Sequence, residues 1–177
     1  IVDPCDATEI TQATHAIADH PGPVYMRLLR GQVPDVLGEY GYTFKLGKAQ
    51  VIHGGSDVLF ISTGFMTMRA LDAARALKAD GTDCAVLHVP TLKPLDTETI
   101  RAEAAKTGRL VVTLENHTIV GGLGEAVAAD LMRAGIHPAF DSIALPDEFL
   151  DAGALPTLHD QYGLSVKAIT ERVKSRL

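Results

Sequence analysis

The stretch "RLVVTLENHTIVGGLGEAVAADL", residues 109–131, decides the fold class. Its first six residues are a short apolar run typical of a buried strand, and residues 124–134 have the apolar period of a helix. Three glycines, Gly121, Gly122 and Gly124, lie at the junction. A strand, a glycine-rich turn and a helix form the repeating unit of α/β proteins, and such turns often bind phosphate. The stretch therefore indicates an α/β protein and raises the question of whether a nucleotide binds there.

The glycine turn departs from the dinucleotide-binding pattern. In that pattern a G-x-G-x-x-G/A motif follows its strand directly, whereas residues 115–120 intervene here and Val127 stands where a third small residue is expected. Glu125 places a negative charge at the helix start, where a bound phosphate would lie. These departures favour glycines that turn the chain and let the helix pack closely on the sheet.

Strands and helices alternate along the rest of the chain from residue 48 onward. The apolar runs at 48–53 and 58–63 flank a short "GGSD" turn and predict an antiparallel hairpin. Beyond them, helices of about a dozen residues separate buried strands, which predicts right-handed crossovers and a parallel sheet. The predicted fold class is α/β, a three-layer sandwich with a mostly parallel sheet and one antiparallel edge strand.

The first 47 residues have a different organisation. Asp6 and Glu9 form a capping-box-like pair that predicts a helix to about residue 20, and "VYMRLL" at 24–29 predicts a strand. Residues 31–47 contain several glycines and no periodicity, which is typical of a linker. Because the sequence begins without Met, at a strand end before a helix cap, we expect it to be the interior of a longer protein.

Composition excludes several classes of function. The 177 residues are 46% hydrophobic with a mean hydropathy of +0.13, and their net charge of -6 argues against nucleic acid or an anionic membrane as partner. No apolar stretch approaches the roughly 20 residues that span a bilayer. Cys5 and Cys84 make no disulfide framework, which favours a reduced, cytoplasmic setting. The seven histidines show no metal-binding pattern, and His88, within an apolar strand, is interpreted as a core residue with satisfied hydrogen bonds.

The chain resembles the transketolase family of thiamine diphosphate enzymes over nearly its whole length. "VVTLENHTIVGGLGEAVAADL" (111–131), "VLHVPTLKPLD" (86–96) and "GGSDVLFISTGFMTMRALDAARALKADG" (54–81) are similar to that family's C-terminal domain. "DPCDATEITQATHAIADHPGPVYMRLLRG" (3–31) is similar to the end of its pyrimidine-binding domain. The resemblance implies three parts: residues 1–30 as the end of a pyrimidine-binding domain, 31–47 as a linker, and 48–177 as a transketolase C-terminal-like domain.

This resemblance also implies a function for the complete enzyme: two-carbon ketol transfer between sugar phosphates, with thiamine diphosphate and Mg²⁺. The family's metal-site signature, a Gly-Asp-Gly followed by a distant Asn, is absent from the sequence, and the glutamate that activates the cofactor lies upstream of residue 1 in family members. We therefore expect no catalytic, cofactor-binding or metal-binding residue here, no cofactor bound to this fragment, and no activity of the fragment alone. The implied partners are an N-terminal diphosphate-binding domain or subunit, in a homodimer or heterotetramer.

Three residues are candidates for contact with substrate. Arg30 matches the family arginine that binds the phosphate of a sugar-phosphate substrate, and Arg27 matches a second arginine of the deoxyxylulose branch. A guanidinium at a strand end can bind phosphate through two hydrogen bonds, but residues three apart on a strand point to opposite faces. His117, after the strand at 110–115, is a candidate site-facing residue. Leu29, where the deoxyxylulose branch usually has Pro, favours transketolase proper.

Other functions remain open at this point. The same motifs fit 1-deoxyxylulose-5-phosphate synthase or the β-subunit of a 2-oxoacid dehydrogenase. A different class of function is a non-catalytic dimerisation module, and a free-standing nucleotide-binding protein is a further alternative.

Overall fold

The computed structural model describes residues 1–29 and 31–177 and has the predicted α/β class. Its six α-helices are α1 (Ala7–Ala18), α2 (Met66–Ala79), α3 (Thr97–Ala104), α4 (Leu123–Arg133), α5 (Leu155–Gln161) and α6 (Val166–Lys174). Its five strands are β1 (Gln50–His53), β2 (Val58–Ser62), β3 (Cys84–His88), β4 (Leu110–Thr118) and β5 (Ala139–Leu145), and a 3₁₀ helix spans Leu37–Tyr40. Among the residues so described, no helix is both long and apolar enough for a membrane crossing.

The strands form one sheet in the order β1-β3-β2-β4-β5. β2 is parallel to β3 and β4, β4 is parallel to β5, and only the edge strand β1 is antiparallel to its neighbour. Helices cover both faces, because alternate residues of β2 enter two separate apolar clusters. Val58 and Phe60 pack with α2 and α6 on one side, while Leu59 and Ile61 pack with α3 and α4 on the other. This is the predicted three-layer sandwich.

The predicted hairpin between the first two strands is wrong. β1 pairs with β3, with Gln50 opposite His88, and β2 lies on the other side of β3. The intervening turn crosses the amino end of β3, where Asp57 N–H donates to the Asp83 carbonyl (2.8 Å) and Asp83 N–H donates to the Asp57 carboxylate (2.7 Å). Gly55 lies so close to the backbone of β3 that no side chain fits there. This crossing leaves both edges of β2 free to pair in parallel.

The strand predicted at 24–29 is also wrong, since only one bridge forms there. Val2 pairs with Met26 on one side and with Thr91 on the other. Its N–H donates to the Tyr25 carbonyl (2.8 Å), and its carbonyl accepts from Arg27 N–H (2.9 Å). Within the described part of the chain, Val2 is the only residue that forms a β-bridge with residues 24–29. This segment is therefore extended but is not a strand.

Residues 31–47, expected to be a linker, pack on the core. Leu37, Tyr42 and Phe44 are buried in the same apolar cluster as α1 and α2. The carboxylate of Asp6 caps α1 by accepting from Glu9 N–H (2.8 Å) and also accepts from Leu37 N–H (2.7 Å). The buried Asp6 side chain therefore helps to hold the N-terminal helix against this segment.

Candidate functional site

Polar side chains gather where the parallel strands β2, β3 and β4 end. The carboxyl edge of a parallel sheet is the usual location of sites in α/β proteins. Asp3 and Arg27 from the N-terminal segment meet Thr63, just after β2, and Asn116, near the end of β4. We take this group as the candidate functional site.

Arg27 is held in one orientation by the end of β4. Its Nη1 donates to Asn116 Oδ1 (2.9 Å) and its Nη2 donates to the Asn116 carbonyl oxygen (3.0 Å). The Arg27 side chain is one-third exposed. Because a guanidinium carries five N–H donors, the two bonds to Asn116 and the contact with Asp3 do not use all of them within the described part of the chain. The site thus presents a positioned cation at the edge of the sheet.

Asp3 supplies the opposite charge on the buried side of Arg27. Its carboxylate lies 3.8 Å from Arg27 Nη1 and accepts from Thr63 Oγ1 (3.5 Å). Burial raises the pKa of Asp3, and the positive charge of Arg27 opposes that rise. Gly64 is required beside it, because a Cβ there would overlap the Asp3 carboxylate.

Of the other two predicted site residues, only His117 lies within the described part of the chain. His117 is exposed, and its Nδ1 lies 3.1 Å from the adjacent Thr118 carbonyl oxygen. As a hydrogen bond, this contact requires the tautomer with a proton on Nδ1, since a carbonyl oxygen only accepts. Arg30 lies outside the described residues. The structure thus brings Arg27 together with Asn116, while contact of Arg27, Arg30 or His117 with substrate stays a prediction.

The glycine turn before α4 is filled by a side chain of the protein itself. Glu115 accepts hydrogen bonds from Leu123 N–H (2.7 Å) and Gly124 N–H (2.8 Å), the amides that a phosphate would use at a helix start. Burial raises the pKa of Glu115, and the two N–H donors oppose the rise. A Cβ on Gly122 would overlap the Glu115 carboxylate, and one on Gly124 would lie 2.9 Å from Thr113 Oγ1. The glycines therefore serve the close approach of Glu115 and of α4 to the sheet.

A second polar group, wholly buried, joins the N-terminal segment to β3. Glu9 accepts from Tyr42 OH (2.5 Å) and from Cys5 N–H (2.6 Å), and both its oxygens lie 2.9 Å from His88 Nε2. His88 Nδ1 lies 2.8 Å from Thr67 Oγ1. The interpretation of His88 as a satisfied core residue is confirmed. The sequence did not predict that Glu9 contacts His88 and Tyr42. The only feature that distinguished Glu9 was its position three residues after the helix cap.

The described residues do not form a site for the diphosphate and metal of the family's cofactor. Across residues 1–29 and 31–177, no group of three or more His, Cys, Asp or Glu side chains is placed to hold a metal ion. The glycine-rich helix start, the one candidate for a diphosphate that the sequence offered, is taken by Glu115. We therefore assign no reaction step to contacts between this chain and the cofactor.

Comparison with known proteins identifies the family. Residues 47–169 match the family described as "Transketolase, C-terminal domain". The chain therefore belongs to the transketolase family and carries its C-terminal domain.

Particular relatives extend the match to the N-terminal segment. The chain is 64% identical over 178 residues to the transketolase family protein y4mN of Sinorhizobium fredii, covering 100% of this chain and 52% of the relative. It is 35% identical to the 1-deoxy-D-xylulose-5-phosphate synthase of Heliobacterium modesticaldum, covering 94% of this chain and 26% of the relative. A solved structure described as "Split gene transketolase, inactive beta4 tetramer" has a TM-score of 0.89 and 34% identity, covering 99% of this chain and 57% of that one. The chain thus spans about half of the length of the transketolase relatives it matches.

Proposed function

We propose that this chain is the C-terminal portion or subunit of a thiamine diphosphate-dependent transketolase, which moves a two-carbon ketol unit between sugar phosphates. One observation carries the proposal. The similarity to the split-gene transketolase covers 99% of the chain, so it includes residues that precede the matched C-terminal domain. The Arg27 site joins that additional part, which contributes Asp3 and Arg27, to the matched domain, which contributes Thr63 and Asn116. A match over both parts supports the same arrangement of them in the two proteins.

In this proposal the chain has the three parts expected from its sequence, 1–30, 31–47 and 48–177. A separate domain or subunit provides the diphosphate and Mg²⁺ site, because the described residues here do not fit one. The similar proteins are about twice as long as this chain, which leaves room for the rest of a pyrimidine-binding domain. We further propose a homodimer or a heterotetramer, in a cytoplasmic setting, and no activity of the chain alone.

The role of this chain toward substrate is to hold a cation at the sheet edge. Arg27 is oriented by Asn116 and has donors that its contacts with the described residues do not use, which suits a phosphate group. Arg30 follows three residues later, and we propose it as the principal phosphate ligand. His117 is exposed near the end of the same strand as Asn116, and we propose that it faces the substrate.

Replacing Arg30 tests this assignment in the reconstituted enzyme. We expect Arg30→Ala to raise KM for a phosphorylated substrate by about tenfold or more, since a hydrogen bond to a charged group contributes roughly 1.5–3 kcal/mol. KM for a non-phosphorylated substrate should change little. Arg133→Ala, which removes an exposed arginine from the end of α4, is the matched control. An unchanged KM for the phosphorylated substrate would remove Arg30 from the site.

A specific observation also favours 1-deoxyxylulose-5-phosphate synthase as an alternative. The synthase relative is at least as similar in sequence as the split-gene transketolase, at 35% against 34% identity. The two activities differ in their product. Detection of 1-deoxyxylulose 5-phosphate, in place of ketol transfer between sugar phosphates, would favour the synthase.

A non-catalytic assembly module is the alternative of another class. The similar solved structure is described as an inactive tetramer of β chains. In the present chain, Phe149 is fully exposed, and Ile119, Val120 and Leu155 are 41–50% exposed. These apolar side chains suit contact with a second copy. Light scattering combined with a thiamine diphosphate titration separates the two: a stable oligomer that gains no activity with any partner favours the module.

A further inference from the structure

A cavity lies at the amino-terminal end of β4 and β5, opposite the Arg27 site. The loops after α3 and α4 form it together with the end of α6, and its volume is about 630 Å³. This size is typical of pockets for small molecules. At a rise of about 3.3 Å per residue, the nine residues of β4 put it roughly 25 Å from the carboxyl edge of the sheet.

The cavity is lined by basic side chains. Lys106, Arg109, His137 and Arg176 line it, and no Asp or Glu side chain is among its lining residues. This contrasts with the whole chain, which has a net charge of -6. A concave surface lined by one sign of charge concentrates ions of the opposite sign.

Arg109 has more hydrogen-bonding capacity than the protein uses. Its side chain is only 7% exposed, yet both terminal nitrogens reach a single oxygen of Glu103, at 3.4 and 3.5 Å. The same carboxylate is much closer to Lys106 Nζ, at 2.8 Å from each oxygen. A buried guanidinium with only two long contacts is unusual, because buried charges are normally paired closely. An anion in the cavity would offer Arg109 closer acceptors than Glu103 does.

The exposed cations beside Arg109 complete the site. Arg176 donates to the Phe140 carbonyl oxygen (3.1 Å) and lies 3.7 Å from Asp141, whose closer partner is Arg172 at 2.7 Å. The side chains of Lys106 and Arg176 are about half exposed, so they can turn toward a ligand.

We propose that this cavity binds a multiply charged small anion of the phosphate or diphosphate class, at a site separate from the substrate site. Arg109 would be the buried anchor, with Lys106 and Arg176 closing on the ligand from the exposed side. The proposal does not depend on the activity of the complete enzyme.

Calorimetric titration of the full chain with pyrophosphate, at constant ionic strength, tests the proposal. We expect saturable binding that Lys106→Ala with Arg176→Ala weakens about a hundredfold, or about tenfold for each cation removed. These exposed changes avoid the risk that replacing buried Arg109 prevents folding. Lys167→Ala is the control: it removes one exposed cation at the start of α6, outside the cavity lining, and should leave binding unchanged. The proposal is overturned if pyrophosphate does not saturate the chain, or if the double variant and Lys167→Ala bind as the wild type does.

Discussion

A single carboxylate decides what the glycine turn can bind. Glu115 occupies the amides of Leu123 and Gly124, and those amides at a helix start would otherwise suit a phosphate. The same glycines that bring a phosphate close in nucleotide-binding proteins here admit a buried side chain of the protein itself. The turn is therefore a helix cap.

Replacing Glu115 tests this interpretation. We expect Glu115→Ala to lower the free energy of unfolding by about 2–3 kcal/mol, because it leaves two buried N–H donors without an acceptor. Glu125→Ala is the control, since Glu125 accepts one bond, from Gly121 N–H, on the exposed side, and we expect a loss of about 0.5 kcal/mol. Urea unfolding of both variants measures the difference. Equal losses would contradict the role given to Glu115.

At the residue scale, the sequence predicts local contacts such as a helix cap, but it does not predict contacts between residues that are far apart in the chain. Asp6 caps α1, as its spacing to Glu9 predicts. The bonds of Glu9 to His88 and of Arg27 to Asn116 join residues 79 and 89 positions apart. No spacing rule links residues so far apart, because their contact depends on how the sheet and the N-terminal segment pack.

At the scale of elements, the placement of β1 depends on a close approach of two backbones. The chain leaves β1, crosses the amino end of β3 at Gly55 and then enters β2. A short glycine-containing turn between two apolar runs indicates a hairpin by local rules. All five residues of β2 are buried from solvent, so this strand requires a neighbouring strand on each side and a helix layer on each face.

Two adjacent glycines provide a matched test of that crossing. A Cβ on Gly55 would overlap the carbonyl carbon of Cys84, whereas one on Gly54 would meet nothing within 4 Å. We expect Gly55→Ala to lower the free energy of unfolding by about 3 kcal/mol or to prevent folding, since the backbone must shift. Gly54→Ala should change it by less than about 0.5 kcal/mol. Thermal unfolding of both variants measures this, and a well-tolerated Gly55→Ala would contradict the topology.

The ion pair between β5 and α6 makes a pH-dependent contribution. Arg172 Nε and Nη2 donate to the two oxygens of Asp141 (2.7 and 2.8 Å), and these bonds hold the pKa of Asp141 below its ordinary value of 3.8. A lowered carboxyl pKa means that the pair stabilises the fold above pH 3.8 and ceases to do so as the pH falls through the lower, folded-state pKa. We expect Asp141→Asn to cost about 1–3 kcal/mol at neutral pH. The difference from wild type should shrink in acid.

Urea unfolding at neutral pH and below pH 3.8 checks this dependence. The control is Asp72→Asn, which breaks an exposed pair with Arg75 three residues away on α2. We expect that change to cost less than about 0.5 kcal/mol at either pH. A loss in Asp141→Asn that is the same at both pH values would exclude the ion pair as its cause.

At the scale of the whole molecule, the N-terminal segment and the sheet form one packed unit. Tyr42, Glu9 and His88 connect residues 31–47, α1 and β3 through buried hydrogen bonds. The alternation of strands and helices was enough to predict the fold class and the layers. It was not enough to predict that the expected linker packs on the core, because that segment has no periodicity and its burial depends on partners elsewhere in the chain.

The use of polar side chains within the chain supports our proposal that it works as part of a larger enzyme. Its own polar groups are used to join its parts: Glu115 caps a helix, Glu9 joins α1 to β3, and Asn116 orients Arg27. At the sheet edge, Arg27 has donors that its contacts with the described residues do not use, and this is where we propose that substrate meets this chain. We propose that the cofactor chemistry belongs to a partner domain or subunit.

The most direct test of this account is thiamine diphosphate binding and ketol transfer, measured by calorimetry and a coupled assay on the chain alone and after mixing with its N-terminal partner. We predict no saturable cofactor binding and no turnover by the chain alone, and both in the mixture with Mg²⁺. Tight cofactor binding or ketol transfer by the chain without a partner would contradict the account, and so would a mixture that binds the cofactor but transfers no ketol unit.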